Sequence, residues 1–142
     1  MSTDRLSTGY MPDFDLDLAV GRQGELFVTN IAAMLSAGTG QVEVKTDKRI
    51  ANTGNVYIEH ECYQRGQWRP SGIQTTKAII WIFVLPAEVL VAAPVDSVRD
   101  LWRRYEHTRT RECTRGSHPT KGVAIPIGYF VQQLYQYEVM SA

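Results

Sequence analysis

The sequence predicts an α/β fold, a mixed central β-sheet flanked by helices. Two stretches, residues 21–35 and 95–107, carry apolar residues at three- and four-residue spacing, the mark of amphipathic helices. Residues 78–85 are nearly all apolar, and β-branched or aromatic side chains dominate, as a strand covered on both faces requires. Around these lie shorter strand-like and helix-like stretches. The resulting order is α, β, β, β, α, β, α.

Residues 1–12 read as a flexible tail, and residues 13–142 as a single domain. Phe14, Leu16 and Leu18 alternate with Asp13, Asp15 and Asp17, the pattern of a short strand or extended lead-in. In the first helix Leu26, Phe27, Ile31, Met34 and Leu35 share a face, and Gly38 and Gly40 end it. Residues 41–47 form a strand with Val42 and Val44 on one face and Glu43, Lys45 and Asp47 on the other. Residues 52–55 are a turn, 56–63 a second strand, 66–72 a loop, and 89–92 a short further strand. In the helix at 95–107, Val95, Val98, Leu101, Trp102 and Tyr105 make the buried stripe and Arg99, Arg103 and Arg104 lie off it. A polar loop spans 109–121, a strand 123–127, and a closing helix 129–137 turns Phe130, Val131 and Leu134 inward.

The bulk numbers bound the function. The chain has 142 residues, enough for one domain with a real core. Hydrophobic residues make up 44% and charged residues 21%, a globular composition, and the net charge is zero. Positive charge nonetheless gathers between Arg99 and Lys121, through Arg103, Arg104, Arg109, Arg111 and Arg115, while Asp4, Asp13, Asp15, Asp17 and Glu25 make the start acidic. Such a basic stretch suits nucleic acid, and equally a solvated helix face with its loop. Cys62 and Cys113 form neither a disulfide framework nor a zinc motif. With no signal-peptide pattern and no apolar run long enough for a membrane, the expectation is a cytoplasmic protein with reduced thiols.

The chemistry centres on Glu43-Val44-Lys45. Side chains two apart on a strand leave one face, so a carboxylate and an ammonium stand together. Alone this is an ordinary mixed-charge strand. Glu25, near the start of the preceding helix, offers a further carboxylate. A hairpin turning near Ala51 would set Glu43 opposite Glu59, Lys45 opposite Tyr57 and Asp47 opposite Asn55. Two carboxylates so placed repel unless a cation lies between them. Mg²⁺ takes one or two carboxylates with water and phosphate oxygens. The stretch Ser71-Gly72-Ile73-Gln74-Thr75-Thr76-Lys77 adds hydroxyls, backbone N–H groups and a lysine of the kind that contact phosphates.

Glu25 on a first helix, then Val42-Glu43-Val44-Lys45-Thr46-Asp47, Thr53-Gly54-Asn55-Val56-Tyr57-Ile58-Glu59, Ser71-Gly72-Ile73 and Thr75-Thr76-Lys77-Ala78, resembles the PD-(D/E)xK nucleases. The nearest likeness is to small phage and archaeal Holliday-junction-resolvase-like members, and it covers roughly residues 15–85. The resemblance implies a restriction-endonuclease-like core and a Mg²⁺ site that Mn²⁺ can also fill. It implies catalytic roles for Glu25, Glu43 and Lys45, metal ligation by Glu25 and Glu43, which the hairpin register above completes with Glu59, and a homodimer that cuts branched DNA in a bacterial, archaeal or phage-infected cell. Lys48, Arg49, Asn55, Arg69, Ser71, Thr75, Thr76 and Lys77 are the expected DNA contacts.

Two departures stand out. The family usually has an Asp on a strand just before its E-x-K strand, and residues 38–41 leave no room for one; Glu59, Asp47, and Asp15 or Asp17 are the candidates to replace it. Ile79 stands where relatives often carry an Asp. His118 in the loop 116–122 reads as a loop histidine before a catalytic base, and Trp102, Tyr135 and Tyr137 as core before a dimer surface. Three readings follow: a junction-cutting endonuclease, another nuclease of the same fold, or a DNA-binding module that has lost catalysis.

Overall fold

The structure, a computed structural model, describes the backbone of residues 12–141 and the side chains of residues 21–135. It divides into two compact units, Met1–Thr39 and Gly40–Ala142. The expected tail and the side chains of Asp15, Asp17 and Tyr137 lie outside the described residues.

The first unit contributes helix α1, Pro12–Ala37. The Asp/Leu alternation at 13–18 therefore lies in a helix and not in a strand. Proline at the first helical position supplies a preset φ, and the alternation is too short to compete with continuation of the helix behind it. Gly38 stops the helix with a φ of +63°, a conformation that costs glycine little.

The second unit is mixed α/β. Its elements are β1 (Val42–Thr46), α2 (Ile50–Thr53), β2 (Asn55–Gln64), β3 (Gln67–Pro70), β4 (Ile80–Val84), β5 (Leu90–Pro94), α3 (Val95–Tyr105), β6 (Thr110–Cys113), β7 (Thr120–Pro126) and α4 (Ile127–Ser141). The strands form two sheets, not the expected single one. One has the order β1-β4-β5, the other β3-β2-β7-β6. Residues 66–72 are not all loop, because β3 pairs with the end of β2, and the polar stretch 109–121 holds β6 on β7.

The hairpin between β1 and β2 does not form. Tight hairpins close with two to five loop residues, and here the helical turn α2 and the left-handed Gly54, φ +69°, redirect the chain. β1 instead runs parallel to β4, with Glu43 beside Trp81 and Lys45 beside Phe83. Ile79 and Ile80 N–H groups both donate to the Gln41 carbonyl, at 2.8 and 3.1 Å, and start this pairing. β2 pairs with β7, which sets Tyr57 by Ala124 and Glu59 by Gly122.

Both sheets share one core with α3 and α4. Ile58, Val56, Val123 and Ile125 enter from the antiparallel sheet, Trp81 and Phe83 from β4, Val98 and Leu101 from α3, and Phe130 from α4. Trp81, Phe83 and Phe130 pack edge-to-face, with centroids 6.0 and 4.8 Å apart. The stripe expected on α3 is observed: Val95, Val98, Leu101 and Trp102 are buried and Tyr105 packs partly against them. Trp102 is thus core, and Tyr135 is exposed. Val131 is exposed rather than inward, because helical spacing aims Phe130 and Leu134 at the core and carries Val131 past it.

Candidate functional site

Glu43 and Lys45 do share a face of β1, and their side chains are in direct contact. The face is not open strand surface. It looks onto Trp81, whose ring centre lies 4.3 Å from Lys45 Nζ. Trp81 Nε1 donates to Glu43 Oε2 at 3.1 Å, and Thr76 Oγ1 donates to the same oxygen at 2.9 Å. Lys45 occupies Oε1. Burial pushes the Glu43 carboxyl up, but the hydrogen bonds and charge of Lys45, with those of Thr76 and Trp81, outweigh it and hold the group below its ordinary value. Glu43 is a carboxylate, and Lys45 is held between its charge and the indole face.

Thr76 reaches Glu43 because the chain between β3 and β4 folds back over β2. Gly72 makes that possible. Its φ is +54°, and a Cβ there would overlap the Glu59 carbonyl oxygen. Ser71 N–H donates to the His60 carbonyl at 2.9 Å, Gln74 Nε2 to the same oxygen at 2.7 Å, and Ser71 Oγ to Glu59 Oε1 at 2.7 Å. Glu59 lines a cleft of about 300 Å³ with Lys45, Asp47, Arg49, Tyr57 and Trp81. The expected placement of Glu59 opposite Glu43 is not found: Glu43 pairs with Trp81, and Glu59 lines the cleft with Lys45 from the other sheet.

Arg49 is tied into the same cleft. Its backbone N–H and Nε bind Asp47 Oδ1 at 2.9 and 3.2 Å, its guanidinium donates to Cys113 Sγ, and its Cζ lies 5.6 Å from the centre of the Tyr57 ring. Asp47 is thereby neutralised as an ion pair. Burial pushes the Tyr57 phenol up to about 12, so it stays protonated, and its oxygen lies 3.0 Å from Thr120 Oγ1.

The structure thus joins Glu43 to Lys45 and Thr76, joins Glu59 to Ser71, and places Lys45 and Glu59 on one cleft. Arg49 and Asn55 line the adjoining cavity. Lys48, Arg69, Thr75 and Lys77 are exposed. Glu25 is exposed on α1, in the first unit. His118 is an exposed residue between β6 and β7. Sequence reading missed Trp81, which the apolar run 78–85 marks only as core. Its buried indole N–H nonetheless demands an acceptor. It missed Cys113 and Tyr57 as partners of Arg49 as well, since nothing local in sequence joins them.

The donor types fit Mg²⁺ in kind, since Glu43 and Glu59 are hard carboxylate oxygens, each held by a neighbouring hydroxyl of the 71–76 chain. Among the described residues no group of three metal-ligating side chains assembles. Both cysteines are free thiols, and no helix among the described residues is long and apolar enough to cross a membrane. The chain matches no known protein family, no curated protein and no solved structure.

Proposed function

We propose that this protein is a Mg²⁺-dependent DNA endonuclease of the PD-(D/E)xK type that acts on branched DNA such as Holliday junctions. The observation that carries the reading is the meeting of Lys45 and Glu59 on one cleft beside Trp81, with Glu43 bound by Lys45, Thr76 and Trp81 and Glu59 bound by Ser71.

Glu43 and Glu59 would hold the metal, which when bound lowers the pKa of an attacking water and positions the scissile phosphate. Lys45 presents a fixed positive charge to that phosphate and stabilises the charge that develops on its oxygens. Thr76 and Trp81 keep the Glu43 carboxylate ionised and aimed. Ser71 donates to the Glu59 carboxylate and orients it. The exposed Lys48, Arg69, Thr75 and Lys77 offer backbone contacts around the cleft, and a homodimer would present two such clefts to two strands.

A second reading has its own support. Both Glu43 oxygens are already spent on Lys45, Thr76 and Trp81, so a metal must compete with Lys45. That arrangement suits a DNA-binding module without catalysis. One experiment separates the two: a labelled four-way junction and a linear duplex, incubated with Mg²⁺ or Mn²⁺ and the wild type, K45A or E43Q. Junction cleavage that both substitutions abolish supports the nuclease. Cleavage that survives both rules out this site, and salt-sensitive binding with no product at any metal concentration favours the binding module. Equal cutting of the linear duplex removes the preference for branches.

A further inference from the structure

Beyond the Lys45 cleft lies a larger concavity of about 510 Å³, between α2 and β6. Four arginines line it: Arg49, Arg109, Arg111 and Arg115. Only two lining carboxylates oppose them, and one of these, Asp47, is taken up by Arg49. Among the described residues Arg109, Arg111 and Arg115 have no carboxylate partner. Arg109 Nε donates to the Ala124 carbonyl at 2.7 Å and Arg111 Nη1 to the Thr110 carbonyl at 3.0 Å. Each keeps further N–H donors, and the Arg115 guanidinium keeps all of its own among the described residues. Opposite them stand Asn52 and Asn55, whose side-chain amides likewise have no partner there.

Uncompensated guanidinium charge converging on one concavity is the chemistry of phosphate capture, since the planar fork matches phosphate oxygens in pairs. The volume falls within the range of small-ligand pockets. Amides beside such a fork can meet the donor and acceptor edge of a base. The cavity also shares Asp47, Arg49 and Tyr57 with the Lys45 cleft, so the two adjoin.

We propose that this cavity receives one unpaired nucleotide of a DNA strand that passes through the Lys45 cleft, its phosphate on Arg111 and Arg115 and its base toward Asn52 and Asn55. A duplex interior offers no such nucleotide, whereas a single-stranded flank does. The inference rests on the nucleic-acid reading of the Lys45 cleft but not on hydrolysis there.

The test is metal-free binding in EDTA, read by fluorescence anisotropy, of the full chain to a four-way junction, to a duplex with a single-stranded flank and to a blunt duplex. The wild type should prefer the flanked duplex over the two fully paired substrates by on the order of tenfold, about one mismatch-sized interaction. R111A/R115A should lose that preference and show a salt dependence shallower by up to about two phosphate contacts. Arg111 and Arg115 are exposed, so circular dichroism should show the variant folded; N52D, which puts a negative charge in the cavity, provides a second variant with the same expected loss. Unchanged affinities in both variants, an equal loss on blunt duplex, or competition by polyglutamate as effective as by the flanked strand overturns the proposal. Loss of the preference in both variants supports it, even if no DNA is cut when Mg²⁺ is added; that result would sink the hydrolytic reading alone.

Discussion

Trp81 Nε1 donates to Glu43 Oε2 at 3.1 Å from a side chain that is only 1% exposed. The core and the candidate site are therefore joined at one residue. The indole body packs on Phe83, its N–H fixes the carboxylate, and its face carries Lys45.

Replacing Trp81 by Phe should separate these roles. The apolar body is largely kept, while Glu43 and Thr76 lose a donor contact. A destabilisation of about 1–3 kcal/mol is expected from the lost buried hydrogen bond and reduced packing. Urea unfolding would measure it, and a loss of cleavage larger than the loss of folded protein would show that the indole also positions Glu43.

Lys45→Ala should lower junction cleavage by on the order of 10²–10³-fold, the scale of one preorganised charge donor. Stability should change little, because the Lys45–Glu43 pair is part-exposed and such pairs are worth little net. Single-turnover cleavage rates at saturating protein check the first, and thermal unfolding the second.

Gly72→Ala should destabilise by about 2 kcal/mol or more, because the new methyl group meets the Glu59 carbonyl at a φ of +54°. The same displacement should pull Ser71 from Glu59, so activity should fall in the fraction that remains folded. A variant as stable as the wild type would mean that residues 71–76 pack differently from the arrangement described.

His60 makes stability depend on pH. Burial pushes its pKa down, and Trp102 Nε1 donates to its Nδ1 at 2.9 Å, which requires that nitrogen to be unprotonated. The unfolded histidine takes up a proton near its ordinary value of about 6.5, while the folded one resists. Stability is therefore fully present above that value and declines as pH falls from there toward the lower folded pKa. Glu43, whose folded pKa is also lowered, adds a second decline that starts near its ordinary 4.5. Urea midpoints between pH 8 and pH 5 should fall for the wild type and flatten in H60Q.

Periodicity made most elements legible in the sequence. The apolar stripe of α3, the β4 run and the alternation through β1 each answer to a local rule of which side chains share a face. The E-x-K pair was legible for the same reason: residues two apart on a strand share a side. Their shared face needed no knowledge of any partner strand.

Pairing had no such local signature. Glu43 met Trp81 and not Glu59, because the helical turn α2 and the left-handed Gly54 send β2 into a second sheet, while the Gln41 carbonyl binds β1 to β4. Glu59 still reached the cleft, because Gly72 lets the 71–76 chain lie against β2 and carry Ser71 to it. Local composition thus determined which side chains carry the chemistry and which faces are apolar. Only the tertiary structure decided which of them meet, because strand partners are chosen by long-range burial and backbone hydrogen bonding, neither of which is encoded in the spacing of neighbouring residues.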